Sequence, residues 1–340
     1  MKTVEVEKDV GADIELAPYV TLLIEQLKRE RKFPAAHGYL CALHSFQRFA
    51  GSRDIPLPMN KVFTRECLKA YEDWLTVRQK REQNTVSGYM RSLRAVYNRY
   101  MPAGTAGHDP KLFDGVYTKV VSKTKRALTT PQTEQLMAAI TTEPSDTLTT
   151  EQQRALTYFL LMFMLRGMPF IDLAHLRKAD VQGGYIVYSR HKTGKSLRVK
   201  IPPQALRLIQ EWRDDNPDST YLFPILRTDL HSGWEEYRCY QDALRRFNRT
   251  LKQVMAQLLP GVRVSSYTAR HTWATLAYHM GMPIGIISQA MGHSSIRVTE
   301  IYLKPFEDSR LDEANRQLLA NVKKVKGKGR MSAMRYKAYY

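Results

Sequence analysis

YTARHTWATLAYHMGMPIGIISQAMGHSSIRVTEIY, residues 267–302, puts a polar face on a helix where a packed chain needs an apolar one. Tyr267, Arg270, His271 and Ala274 follow the i, i+3, i+4, i+7 rule and so share that face. The stripe Trp273, Leu276, Ala277 and Met280 is then expected to pack, with Ser265 or Ser266 as N-cap and Gly281 ending the helix. Pro283 opens a short apolar helix that Gly292 closes, His293 falls in the turn, and Tyr302 lies on the next helical segment. Histidine and tyrosine are thus carried on separate elements that can converge on Arg270.

Upstream of this window the pattern is mostly helical. Thr130 before Pro131 reads as an N-cap with proline at N1, opening a helix through Ile140. From Glu151 to Met168, Leu156, Phe159, Leu160, Phe163 and Met164 form a buried stripe, and Arg166 falls in phase with it. An inward arginine requires a partner, either an ion pair with an acid such as Asp172 or a phosphate gripped bidentately. Pro169 starts another short helix. Tyr185 to Ile201 alternates as two strands around Thr193 and Gly194, a β-hairpin with Lys192 at its tip. Helices follow from Pro203 and from about Tyr237 to Leu258. Beyond Tyr302, Leu311, Ala314, Leu318 and Leu319 predict one more amphipathic helix, and the Lys, Arg and Gly-rich tail from Lys323 predicts disorder.

The first hundred residues predict a bundle of four helices. Their apolar stripes are Tyr19, Leu22, Leu23, Gln26 and Leu27; then Tyr39, Leu40, Leu43, Phe46 and Phe49, closed by Gly51; then Leu68, Tyr71, Trp74 and Leu75, capped by Thr64; then Val86, Tyr89, Met90, Leu93, Val96 and Tyr97. Arg91 and Arg94 stay outside, available to phosphate. Between Pro102 and Pro131 several glycines break the periodicity, and Lys119, Lys123, Lys125 and Arg126 form a basic strip, read as an interdomain linker that touches DNA.

A chain of 340 residues has room for two ordinary domains. Its net charge of +19, on an otherwise globular composition with 43% hydrophobic residues, points to a polyanionic partner, nucleic acid ahead of a membrane surface. Three scattered cysteines support neither a zinc ribbon nor a disulfide framework. No export signal is evident at the N-terminus. The longest apolar run, Ala155 to Leu165, is well short of the ~20 residues of a spanning helix.

Two arginines on inward helix faces, a hairpin lysine, histidines in a cationic cleft and a tyrosine close by in sequence make up the chemical inventory. No carboxylate pair is spaced for metal-assisted cleavage, no Gly-rich phosphate loop occurs, and the histidines lack metal-ligand partners. Phosphoryl transfer without metal or ATP fits, with positive charge stabilising the transition state and Tyr302 as nucleophile.

The elements KTGK at 192–195, ARHTWAT at 269–275, MGHSS at 291–295 and TEIY at 299–302 resemble, in order and spacing, the catalytic boxes of the tyrosine recombinases, the phage integrase family. Chains of this layout are similar to integrases of phages and of conjugative or transposable elements. The resemblance implies a mainly α fold with a small antiparallel β element. It also implies an N-terminal extension over 1–15, a SAM-like four-helix core-binding domain over 16–101, a basic linker over 102–127, an α+β catalytic domain over 128–320 and a tail over 321–340. In that frame Arg270 grips the scissile phosphate, Lys192 protonates the departing 5′-hydroxyl, His293 hydrogen-bonds the phosphate, and Tyr302 attacks to give a 3′-phosphotyrosyl link.

The implied partner is double-stranded DNA with specific recombination sites, bound by a homotetramer on synapsed duplexes, with accessory DNA-bending proteins and neither cofactor nor metal. A cytoplasmic, nucleoid-associated protein is expected. Two positions depart from the family pattern. Tyr267 stands where histidine is usual, so His271 is a candidate helper in proton transfer. The first arginine of the family is expected in Arg166, which lies a turn early but can reach the same phosphate, with Asp172 in the acidic place as a structural partner of Arg166 or His271; the alternatives are an arginine on another segment, such as Arg190, or a dispensable one. A type IB topoisomerase-like nicking-closing enzyme, or a weakened sequence-specific DNA-binding protein of the same fold, stays open at this point.

Overall fold

Leu16, Val20, Leu23, Ile24 and Leu27 recur every three or four residues and are the buried face of α1 (Leu16–Arg29). That face is displaced from the expected stripe, because Leu22 is 63% exposed and Gln26 is also outside. The computed structural model describes residues 14–53, 55–120, 126–141 and 148–303, with 312, 315–317 and 319. The extension over 1–13, Lys123 and Lys125, the helix expected through Leu311, Ala314 and Leu318, and the tail over 321–340 lie outside the described residues. The chain divides into two units, Met1–Thr124 with Leu230–Arg238, and Lys125–Asp229 with Cys239–Tyr340.

In the first unit, α1 is followed by α2 (Phe33–Ala50), which ends at left-handed Gly51 as the sequence suggests. A short α3 (Met59–Val62), which the periodicity did not announce, leads into α4 (Arg65–Asp73). There the Thr64 hydroxyl accepts the Cys67 N–H at 3.2 Å. A π-helical turn over Trp74–Arg78 precedes α5 (Gln83–Tyr100). Tyr71, Leu68 and Leu75 are fully buried, with the Tyr71 ring edge-on to Phe46 at 4.9 Å.

The segment read as a linker is largely built into this core. Leu112, Phe113 and Val116 are buried, the Tyr97 hydroxyl accepts the Asp109 N–H at 2.7 Å, and Glu72 Oε1 accepts the Tyr117 N–H at 2.6 Å. Three apolar residues spaced over five positions are too few for a periodicity to register beside the glycines. Lys119 and Arg126 are exposed on either side of the undescribed stretch. Trp234 and Tyr237 belong to this unit too, stacked on one another and packed against Phe33.

The second unit begins with α6 (Thr130–Thr141), capped by Thr129 rather than Thr130: its hydroxyl accepts from Gln132 N, and Gln132 Oε1 accepts from Thr129 N. α7 (Thr150–Met164) opens on a capping box of Thr149 and Gln152 and is buried over every residue from Ala155 to Met162. A helix apolar all round is a central one. α6, α8 (Phe170–His175), α9 (Pro203–Trp212) and α11 (Ser266–His279) all contact it. The sheet is antiparallel in the order β1 (Val181–Gln182), β2 (Tyr185–Ser189), β3 (Ser196–Lys200), with Ile186 opposite Val199 and Ser189 opposite Ser196. The expected hairpin is β2–β3; the two-residue β1, outside that expectation, pairs with β2 across the turn at Gly183-Gly184. The part of α10 (Gly233–Leu258) from Cys239 onward, α12 (Ile284–Ala290) and α13 (Ile296–Glu300) complete the unit. The fold is thus mainly helical with one small antiparallel sheet, as the sequence led us to expect.

α11 packs differently from the expectation. Thr268, Ala269, Thr272, Ala274, Thr275 and Ala277 are buried, Trp273 and Leu276 are half-buried, and Met280 is 86% exposed. Small side chains let the helix approach α7 closely, and Met280 lies past the last helical turn. Among the described residues no helix is long and apolar enough to cross a membrane.

Because residues 112–116 close the first core, Phe113→Ala in the full chain should destabilise it by about 3–5 kcal/mol. Chemical denaturation followed by fluorescence of the first unit's tryptophans reads this; an unchanged midpoint would show that the segment is only draped over the bundle.

Candidate active site

Charge burial dictates the geometry here, since a buried guanidinium must be surrounded by acceptors. Arg270, 2% exposed on α11, donates Nη1 to the Gly167 carbonyl at 2.7 Å and Nη2 to the Met291 carbonyl at 2.7 Å. Nη2 is also 2.8 Å from His293 Nε2. Its Nε is buried with no hydrogen-bond partner among the described residues. Burial first, then the neighbouring Arg190, lowers the proton affinity of this guanidinium.

The second arginine is Arg190, at the end of β2. Its Nε donates to Asp172 Oδ2 at 3.3 Å, and its Nη1 donates to the carbonyls of Met291 at 3.0 Å and Gly292 at 3.4 Å. One main-chain oxygen, that of Met291, therefore receives both arginines. Asp172 is buried and its other oxygen accepts the His191 N–H at 2.9 Å, which anchors the start of the hairpin turn. The carboxylate offsets one of two buried cations, leaving an excess of positive charge. Lys192 is exposed in the same turn, which closes through the Arg190 N–H to Lys195 carbonyl bond at 2.9 Å.

Arg166 is not part of this cluster. α7 stops at Met164, and Arg166 and Gly167 both take left-handed φ values of 61° and 67°, so the chain reverses before the stripe of Phe159 and Phe163 can continue. The Arg166 guanidinium instead donates to the Arg198 carbonyl at 3.4 Å. Asp172 accordingly orients Arg190, not Arg166 or His271. Two glycines make room for the arginines. A Cβ on Gly167 would lie 3.1 Å from Arg270 Cα, and one on Gly292, whose φ is 67°, would lie 2.8 Å from Arg190 Cδ.

His293 is 7% exposed, with Nδ1 2.8 Å from Thr299 Oγ1. Burial, then Arg270 and Arg190, push its pKa down to about 3, so the ring is neutral at ordinary pH. Its plane stacks on Tyr302 at 5.0 Å and 24°, and Arg270 Cζ is 5.3 Å from the centroid of the same phenol. His271 lies 4.9 Å from the Tyr302 ring, and its Nδ1 donates to the Tyr302 carbonyl at 3.2 Å. That contact is with the backbone of the tyrosine. Tyr267 is 53% exposed one turn before Arg270. Trp273 packs, as expected, on the small cluster that holds Met291. Arg91 and Arg94 on α5 are exposed.

Sequence reasoning missed Thr299 and the carbonyls of Gly167 and Met291. TEIY contained the first as a signal; no side-chain pattern announces the others. Among the described residues no group of His, Cys, Asp and Glu is placed to hold a metal ion.

Comparison with known proteins accords with this geometry. The phage integrase family model matches residues 126–308, and the phage integrase SAM-like domain matches residues 15–112. A tyrosine recombinase of Thermosipho africanus is 21% identical over 249 residues, 73% of this chain and 81% of that protein. Tyrosine recombinase XerA of Pyrococcus furiosus is 26% identical over 148 residues, 43% of this chain and 48% of its own. The chain thus spans about half the length of that archaeal relative. Among solved structures, a lambda integrase(75–356) dimer bound to a COC′ core site aligns with TM-score 0.58 at 14% identity, covering 85% of this chain and 95% of that one. XerH site-specific recombinase bound to difH aligns with TM-score 0.54 at 18% identity, covering 82% and 78%. These likenesses establish the fold.

Two measurements probe the site without reference to any reaction. Gly292→Ala forces both a left-handed alanine and a clash with Arg190, whereas Gly281→Ala, also at positive φ, meets nothing within 4 Å. The former should cost about 1–3 kcal/mol more than the latter in denaturant unfolding. His293 binds its proton far less readily folded than the ~6.5 of an unfolded histidine, so the folded chain loses stability as pH falls from about 6.5 toward 3. Wild type should lose stability over pH 6 to 4 more steeply than His293→Gln; equal slopes would contradict a buried neutral ring.

Proposed function

The chain belongs to the phage integrase family, the tyrosine recombinases, and on that premise we propose that it cuts and rejoins DNA at specific sites through a 3′-phosphotyrosyl intermediate, without metal or ATP. The observation that carries this reading is the buried Arg270, with Nε unpartnered and its guanidinium 5.3 Å from the Tyr302 ring. A phosphodiester seated against Arg270 and Arg190 would meet two fixed cations already paid for by main-chain acceptors. Preorganised charge of this kind favours the extra negative charge of the pentacoordinate transition state over the ground state.

In this reaction the Tyr302 phenol releases its proton to water as its oxygen attacks phosphorus, the bond to the 5′ oxygen breaks, and Lys192 supplies the proton that oxygen needs. The new phosphotyrosyl ester replaces one phosphodiester with another, so religation by a 5′-hydroxyl needs no outside energy. Arg190 fills the role of the displaced first arginine, with Asp172 orienting it, and His293 supports the grip by holding Arg270 Nη2. His271 holds the Tyr302 backbone rather than moving its proton. Exchange between two duplexes breaks four strands, and each subunit brings one Tyr302, so the working assembly is a tetramer on synapsed sites. The net charge of +19 and the exposed Arg91, Arg94, Lys119 and Arg126 support backbone binding of double-stranded DNA along both units.

Incubation with a nicked suicide substrate carrying the cognate site should trap wild-type protein covalently, and Tyr302→Phe should trap none. Arg190→Ala should slow adduct formation about 100-fold or more, Arg166→Ala less than tenfold; the reverse order would return the first-arginine role to Arg166. A 5′-bridging phosphorothiolate, whose leaving group needs no proton, should rescue Lys192→Ala. Relaxation of plasmids of arbitrary sequence by a single subunit would favour a nicking-closing enzyme instead, and binding with no adduct would mark a DNA-binding protein.

A further inference from the structure

Thr299 is wholly buried on α13, and its hydroxyl oxygen lies 2.8 Å from His293 Nδ1. On the opposite edge of the ring, Nε2 lies 2.8 Å from Arg270 Nη2. A guanidinium nitrogen can only donate, so Nε2 must accept and carries no proton. The neutral imidazole therefore bears its proton on Nδ1, and Thr299 Oγ1 is the atom that accepts it. We infer that Thr299 is a positioning residue, holding His293 in the Nδ1–H tautomer with a bare Nε2 turned toward Arg270.

The same residue is tied to the nucleophile, because its carbonyl accepts the Tyr302 N–H at 2.8 Å. A single threonine thus sets the ring orientation of His293 and the start of the turn that carries Tyr302. The arrangement also changes what His293 offers in the resting protein. A bare nitrogen repels a phosphate oxygen, so the ring serves Arg270 as an acceptor and fixes Nη2. The charged groups whose fields act on the ring, Arg270, Arg190, Lys192 and Lys195, are all cationic and oppose a second proton on it. The consequence for reaction rests on the strand-transfer reading above; the tautomer does not.

The test uses the full chain labelled with 15N-histidine, with His293 assigned by the resonances missing from His293→Gln. At pH 7 the wild type and Thr299→Ser should both show a proton on Nδ1 and a bare Nε2. In Thr299→Val the Nδ1 proton loses its acceptor, so it should exchange with water faster than in the other two. On nicked DNA, Thr299→Val should form adduct at least tenfold more slowly at unchanged DNA affinity, the loss expected when a buried N–H is left without a partner. Thr299→Ser should recover to within about threefold of wild type. A proton on Nε2 in the wild type overturns the inference, as does a Thr299→Val rate equal to wild type. Should Thr299→Val not fold, the wild-type and Thr299→Ser spectra still decide. Absence of adduct in every variant, wild type included, would defeat the proposed function while leaving the tautomer measurement to stand or fall alone.

Discussion

Two guanidiniums buried side by side with one buried carboxylate to offset them is the arrangement on which the second unit depends. Like charges so placed repel, and in a low-dielectric interior each must find acceptors or be expelled. Asp172 supplies one counter-charge to Arg190. The rest of the compensation comes from main-chain carbonyls, which concentrates structure at two loops: the reversal after α7 and the turn between α12 and α13. The residual positive charge is what a phosphodiester would complete. Stability and recognition are therefore in tension at this point of the fold, as they are wherever a site is preorganised for a charge it does not itself contain.

Much of this was legible from residue order. The caps at Ser265, Thr64 and Gly51, the β2–β3 hairpin and the four long helices of the first unit follow from local chemistry, which acts over a few residues and leaves a local trace. The convergence of Arg270, His293 and Tyr302 could be anticipated because the turn residues between them, Gly281, Pro283 and Gly292, divide one short stretch into three stacked pieces. Arg190 was harder. Its side chain sits in a β-region whose periodicity is two, and nothing in RHKTGK says which way a residue at the strand's end will turn once the hairpin is packed. Arg166 misled for the complementary reason: a helical phase argument holds only while the helix continues, and two left-handed residues end it. The stripe of α11 erred where alanine and threonine do the packing, since small residues carry little hydrophobic signal yet permit the closest approach, whereas that of α1 erred in phase, with Leu22 outside and Leu16, Val20 and Ile24 inside.

The first unit shows the same limit from the other side. Glycines at 104 and 107 mark turns correctly, but a turn is not a linker, and what decides is whether apolar residues follow that can return to the core. Leu112, Phe113 and Val116 do so. The aromatic groups around Phe46, Tyr71 and Tyr97 leave a face that these three residues fill, and Tyr117 is held by Glu72 beyond them.

The acceptors around the two arginines have a further meaning. The carbonyls of Gly167, Met291 and Gly292 belong to the main chain, and no substitution can delete them. Genetic drift at these positions can damage the grip only by crowding it, by adding bulk where glycine leaves space, and not by removing a partner. The heritable information that maintains the anion site is in this respect negative: it specifies where side chains must be absent. Such a site can keep its hydrogen-bonding chemistry while the sequence around it diverges widely, provided the empty places stay empty.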